Sequence, residues 1–266
     1  MSAREQNMPY RAVITGATGG IGQAIARELA NQADWLILVG RNVNALKALQ
    51  ADIGVQKAHI VAGDIGQEET LHAIEAAVRR LGGINLLVNN AGTSDFHAFE
   101  TQSIDAIVGM LQTNLLSPML LTRRLLPLLR QAPRAQIVNI GSVFGSMGYP
   151  GFAAYGASKS GLKGFTQALR RELADTGVRV RYFAPRVTTT AINSAPVNAL
   201  NRELKVGEDS PEHVAQAFAQ FLRGTAWATT LGAKESFFVF VNNLLPAMPD
   251  KAILSQLPVI RKYLPR

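Results

Sequence analysis

Thr15-Gly16-Ala17-Thr18-Gly19-Gly20-Ile21-Gly22 follows the mainly apolar residues 10–14 and leads into Ile21, Ile25 and Leu29 at helical spacing. The stretch therefore reads as a strand end, a glycine turn and a helix start. Gly16, Gly20 and Gly22 lack the Cβ that would keep an anion and the neighbouring backbone at a distance. Together with Thr18, Gly19 and Ile21 they form a phosphate cradle. Its free N–H groups and the positive end of the helix face the anion.

Moving outward from the cradle, strand-like and helix-like stretches alternate along the whole chain. Strands are expected at about 10–15, 35–40, 57–62, 84–89, 135–141, 178–183 and 227–231, and helices at about 20–32, 43–53, 67–81, 101–131, 155–176 and 211–224. Strand cores such as Trp35-Leu36-Ile37-Leu38-Val39 and Leu86-Leu87-Val88 are apolar throughout, as strands buried on both faces must be. The expectation is an α/β, doubly wound, three-layer αβα Rossmann fold with a mainly parallel seven-stranded sheet, binding its ligand at the carboxyl ends of the strands. Residues 1–233 make the catalytic domain, with a substrate loop at 186–210, and 234–266 add a C-terminal helical extension to the same domain.

The chain has 266 residues, 47% of them hydrophobic, enough for a full core. Its formal charge of +8 is scattered and carries no nucleic-acid motif, so anionic small molecules account for it better than nucleic acid. Without cysteine there are no disulfides and no thiolate metal sites. The first ten residues lack a signal-peptide core, and no apolar run is expected to reach the roughly 20 residues of a membrane span. A cytoplasmic protein is expected.

The second strand ends in Gly40-Arg41-Asn42. NAD binding favours a carboxylate there for the ribose hydroxyls, whereas the 2′-phosphate of NADP needs a cation. Glycine in the acid's place and Arg41 next to it favour NADP(H) over NAD(H). After the third strand, Asp64, with the adjoining Ile65, can accept from an adenine amino group or cap the helix that follows. Asn89-Asn90-Ala91-Gly92 ends the fourth strand with small residues that let the backbone pass against a cofactor. Asn114 is a polar amide inside an apolar helical stretch, where burial obliges it to find partners.

Ser142 directly follows the fifth strand, so its hydroxyl stands at the carboxyl end of the sheet. Tyr155 and Lys159 then lie four apart on a helix, which puts phenol and ammonium on one face. A nearby cation favours a phenolate and suits a tyrosine to general acid or base work. In this order, the cradle, Asp64, Asn89-Asn90-Ala91-Gly92, Asn114, Ser142 and Tyr155-x-x-x-Lys159 resemble the single-domain short-chain dehydrogenase/reductase family over residues 10 to about 231.

The resemblance implies a hydride exchanged between a nicotinamide and a carbonyl or secondary alcohol, with no metal. Tyr155 would pass the proton and Ser142 polarise the substrate oxygen. Lys159 would hold the nicotinamide ribose and lower the Tyr155 pKa, and Asn114 would support a water leading to Lys159. It also implies that Pro185, Thr188 and Thr190 meet the nicotinamide amide and the phosphates. Where the family usually has glycine after that proline, this chain has Arg186, which is either a surface arginine or a contact for an anionic part of the substrate.

Phe144, Met147, Tyr149 and Phe152 offer an apolar wall, pointing to a hydrophobic ketone, aldehyde or secondary alcohol. Phe237, Phe238, Val241, Leu244 and Leu245 make a helical stripe in the tail, followed by Pro246, Pro249 and the apolar segment 252–264 with Arg261 and Lys262. The stripe suits a docked helix, a subunit contact or peripheral membrane contact. The resemblance further implies a homodimer or homotetramer pairing through the helices that carry Asn114 and Tyr155. The competing functional classes are an epimerase or dehydratase on the same fold, and a cofactor-binding regulator or scaffold without chemistry.

Overall fold

The structure, a computed structural model, describes residues 8–245 and 247–265. The readings that rest on residues 1–7 and on Pro246 fall outside it. Seven strands, β1 (Tyr10–Thr15), β2 (Ala33–Gly40), β3 (Ala58–Ala62), β4 (Leu86–Asn89), β5 (Ala135–Ile140), β6 (Val178–Ala184) and β7 (Ala228–Thr230), form one sheet in the order β3-β2-β1-β4-β5-β6-β7. Every pairing is parallel. All the expected strands are present within about two residues.

The continuous apolar strands alternate between two cores. Ala12, Ile14, Leu36, Leu38 and Val88 face one side, where they meet Ile25 and Leu29 of α1 (Gly20–Ala30), Leu46 and Leu49 of α2 (Val43–Ile53) and Phe218 of α8 (Pro211–Arg223). Val13, Ile37, Val39, Leu87 and Ile137 face the other. There they meet Ile74 and Val78 of α3 (Glu68–Arg80), Leu121 and Leu125 of α5 (Ser117–Leu129) and partly buried Leu169 of α6 (Ala153–Glu172). Two buried faces are what a parallel sheet with right-handed crossovers requires. Because β1 lies between β2 and β4, the connections leave it in opposite directions. The crevice at its carboxyl end is the switch point where such sheets bind ligands.

Two stretches depart from expectation, the helix expected at 101–131 and the 186–210 loop. The single helix expected at 101–131 is three pieces in register: α4 (Ile104–Leu111), a π turn (Gln112–Leu116) and α5. The π turn widens the backbone where Asn114 turns inward. Contrary to the expectation that no apolar run is long enough, Ile104–Leu129 meets the length and composition of a membrane span. In the fold its Leu121, Leu125, Leu128 and Leu129 lie on the sheet instead.

The 186–210 loop contains a helix, α7 (Ala195–Glu203), opened by Pro196 in its first turn. Its period, Val197, Leu200, Asn201 and Leu204, is hard to read in sequence because one of the four is polar. The tail forms α9 (Ala233–Leu244), α10 (Ala247–Ser255) and α11 (Leu257–Tyr263). Fully buried Ile260 joins Phe96, Phe152, Val197 and Leu200 in a third core, so the extension clamps the 186–210 loop onto the domain.

Candidate active site

A cleft of about 880 Å³ opens at the carboxyl ends of the strands, and every predicted site residue except Asn114 lines it. At one end is the cradle. Gly16 has a φ of 64°, and a Cβ there would stand 2.7 Å from the Ala91 backbone; at Gly22 it would stand 2.2 Å from the Gly16 carbonyl oxygen. These glycines thus close the turn upon itself and upon the end of β4. No side chain caps α1 and no acid occupies its first turn, so its N–H groups remain available to an anion. Thr190 sits against Gly20, bringing the loop after β6 over the same helix end.

Thr15, which sequence reasoning did not single out, ties the cradle to β4. Its hydroxyl oxygen accepts from the N–H groups of Asn90 and Ala91, each at 3.0 Å, while the Asn90 amide donates to the Thr15 carbonyl at 2.9 Å. Asn90 therefore shapes the cleft chiefly by holding two strand ends together.

Arg41 is highly exposed at the rim, its guanidinium 3.9 Å from Asp64. The other Asp64 oxygen accepts from the Gly66 N–H at 2.8 Å. That bond closes a turn, and the cap position of the next helix belongs to Gln67, so the capping alternative for Asp64 does not hold.

At the other end, Ser142 follows β5 and its Oγ accepts from the Phe144 N–H at 3.1 Å. With that acceptor position filled, the hydroxyl proton is directed elsewhere, and Ser142 lies close enough to the Tyr155 phenol to favour its ionised form. Buried Tyr182, also not anticipated, braces this turn, with its hydroxyl 3.3 Å from the Ser142 nitrogen.

Lys159 is buried, and its Nζ donates to the Ile140 carbonyl at 2.9 Å, 5.9 Å from the centre of the Tyr155 ring. Burial lowers Lys159 to about 8. Burial raises Tyr155 above its ordinary value, only partly offset by Ser142. The expected depression of Tyr155 by Lys159 is thus absent here, because the ammonium faces a carbonyl and desolvation dominates both groups.

Asn114 is fully buried beneath the cleft. Its amide oxygen accepts from the Thr93 N–H at 2.8 Å, and its Nδ2 donates to the Thr93 carbonyl at 2.9 Å and to Ser158 Oγ at 3.0 Å. Since Ser158 in turn donates to the Tyr155 carbonyl, the side chain of Asn114 holds the Tyr155 helix against the loop after β4. Those bonds use both amide protons and leave the second lone pair of the amide oxygen for the water expected to lead to Lys159.

Beyond Tyr155, Phe144, Met147, Tyr149 and Phe152 all line the cleft as expected, with Phe144 stacked on Tyr149 at 5.1 Å. Burial holds Tyr149 up at about 12, and its hydroxyl donates to Gln256 of the C-terminal extension at 2.8 Å. Asn201 of α7 also lines the cleft, and its buried Nδ2 has no partner. Neither Gln256 nor Asn201 carried a signal in sequence.

Arg186 is not a free cation. It forms a bidentate pair with buried Asp209, at 2.9 and 2.7 Å, and lies 3.8 Å from Glu235. The glycine-to-arginine departure fastens the 186–210 loop to α9, which displaces both the surface and the anionic-substrate readings. Thr188 bridges to Asp209 in the same knot, with its hydroxyl on the Arg186 carbonyl at 3.0 Å.

The family model described as short chain dehydrogenase matches residues 10–200. The chain belongs to the short-chain dehydrogenase family. Its sequence is 34% identical over 191 residues to a 3-oxoacyl-[acyl-carrier-protein] reductase of Bos taurus, covering 72% of this chain and 79% of the relative. Among solved structures, a variant of actinorhodin polyketide ketoreductase with NADPH superposes with a TM-score of 0.76 at 28% identity, covering 87% of this chain and 97% of that one. The 3-ketoacyl-(acyl-carrier-protein) reductase of Brucella melitensis, complexed with NADH, gives 0.75 at 27% identity, covering 83% and 95%. This short-chain dehydrogenase is an oxidoreductase, and the site residues that the family's motifs supply, other than Asn114, line one cleft.

Proposed function

We propose that the protein is an NADP(H)-dependent oxidoreductase that interconverts an apolar carbonyl compound and its secondary alcohol. The observation that carries this reading is the single cleft joining an uncapped helix N-terminus and Arg41 at one end to Ser142 and Tyr155 at the other. The glycine cradle and exposed Arg41 fit a dinucleotide carrying a 2′-phosphate, for which Arg41 supplies the cation. Bound there, the nicotinamide supplies or takes the hydride at the carbonyl carbon.

Burial keeps the Tyr155 phenol protonated, so in reduction it gives its proton to the developing alkoxide. The Ser142 hydroxyl, aligned by its bond from Phe144, donates to the same oxygen and polarises the carbonyl. Lys159 stands behind the phenol as the cation for the ribose hydroxyls and for the phenolate left after transfer. The aromatic wall selects an apolar substrate, while the unpartnered amide of Asn201 supports a polar contact farther along it.

An exposed apolar stripe on α4 and α5 supports a homodimer. Ile104 is 78% exposed and Val108 57%, and Leu116, Met119 and Leu120 continue the stripe.

Parallel fluorescence titration with NADPH and NADH tests the cofactor reading. Arg41 is expected to confer a clear preference for NADPH, with Arg41→Ala weakening NADPH about tenfold or more and leaving NADH unchanged. Equal binding of the two by the unmodified protein would overturn it.

A further inference from the structure

Polar contacts of Glu235, Ser236 and Asn242 hold helix α9 to the domain, and it buries little apolar surface there. Of its residues only Val239 is buried, while Phe237 is 63% exposed, Phe240 60% and Leu244 63%, with Phe238 and Leu245 also open to solvent. At about 100° per residue these five side chains cover an arc of roughly 160°, with Val239 on the opposite side. The patch continues over α10 through Met248 and Leu254.

Exposed cations punctuate it. Lys234 lies three and four residues before Phe237 and Phe238, and Lys251 lies three after Met248 and three before Leu254, spacings that place each beside the apolar side chains on its helix. Neither lysine has an ion-pair partner among the described residues. Glu235 is turned away from the patch toward Arg186, which leaves Asp250 on α10 as the exposed acid beside it.

From these observations we propose that α9 and α10 dock the protein on an anionic phospholipid surface. A wide apolar arc with interleaved lysines matches the boundary between acyl chains and acidic headgroups, and the overall charge of +8 adds to the attraction. A second copy of the chain would bring the same lysines to face one another across the contact. The stripe on α4 and α5, by contrast, carries exposed charges of both signs, Asp105 and Arg123, and suits self-association better.

The same extension supplies Glu235 and Gln256 to the cleft wall. Docking therefore holds that wall at the bilayer, where apolar carbonyl compounds accumulate. This last step rests on the proposed oxidoreductase function, whereas docking itself does not.

Flotation of the full chain with vesicles of phosphatidylcholine, alone or with one third phosphatidylglycerol, tests docking. Binding is expected to the mixed vesicles and to weaken several-fold as salt is raised. A Phe237→Glu, Phe240→Glu, Leu244→Glu variant that still binds NADPH is expected to lose at least about tenfold in bound fraction. Lys234→Glu with Lys251→Glu removes the preference for the anionic lipid. No binding by the unmodified protein, or a triple variant that floats as before, overturns the proposal. So does a protein that ignores vesicles but falls to a smaller oligomer when the triple change is made, since a second copy would then own the patch.

For the substrate step, vesicles are expected to accelerate reduction of a long-chain ketone by the unmodified protein but not by the triple variant, with a short water-soluble ketone reduced equally by both. If no ketone is reduced at all, the oxidoreductase reading fails while flotation still decides docking.

Discussion

Lys159 and Tyr155 share a helix face, yet burial moves them in opposite directions: Lys159 falls to about 8 and Tyr155 rises. Because the lysine is depressed, its positive charge is present below about 8 and lost above it, while the phenol stays protonated across the same range. The pH profile of kcat/KM for ketone reduction is therefore expected to be flat below about 8 and to fall above it. Lys159→Arg, which keeps its charge, should move that limb to higher pH, and an unmoved limb would assign it to another group.

At this scale the sequence was informative wherever chemistry lay at short range. Tyr155 and Lys159 are four apart, and Ser142 directly follows a strand. Arg186 was not legible, because its meaning depends on Asp209, 23 residues away, and on Glu235 in the tail. Gln256 and Asn201 reach the cleft only through tertiary packing, and a lone amide in a short helix announces nothing.

Among the elements, the turn from β1 into α1 is the least tolerant of change. A methyl group at Gly22 would meet the backbone of Gly16 at 2.2 Å, and neither strand end can yield without breaking the Thr15 bonds to Asn90 and Ala91. Gly22→Ala is expected to cost about 1–3 kcal/mol in urea unfolding and to weaken dinucleotide binding at least about tenfold. Unchanged binding would mean that the cradle does not hold the phosphates.

The strands were readable because their apolar runs are dictated by burial on both faces. The π turn at Gln112–Leu116 was not, since its sequence is an ordinary helical one and the widening answers the need to bury Asn114 against Thr93 and Ser158. Buried Arg181 in β6 is a second such case. Carbonyls at the end of α8, Phe221 at 2.6 Å and Leu222 at 3.2 Å, and the side chain of Gln136 at 2.8 Å receive its charge, an arrangement that only the folded helix end provides.

For the whole molecule, the parallel sheet and its switch point fix where the cleft lies, and the tail fixes how the substrate end is closed. The doubly wound architecture was legible from alternation of elements, whereas the burial of Ile260 against Phe152 and Leu200 needed the fold to be seen. The exposed stripe on α4 and α5 makes self-association testable. Val108→Glu with Leu116→Glu is expected to convert a dimer to a monomer in sedimentation equilibrium, and an unaltered mass would place the contact elsewhere.

The central claim, that Tyr155 hands a proton to an oxygen whose carbon exchanges hydride with a nicotinamide in this cleft, is tested most directly by isotope transfer. NADPH deuterated at C4 is incubated with an aryl ketone and the alcohol is analysed by mass spectrometry. The account predicts one deuterium on the carbinol carbon with the unmodified protein. With Tyr155→Phe it predicts a rate lower by about 10²–10⁴-fold and NADPH binding intact. Undiminished transfer by Tyr155→Phe, or no transfer by an unmodified protein that binds NADPH and is offered a range of ketones, would contradict it.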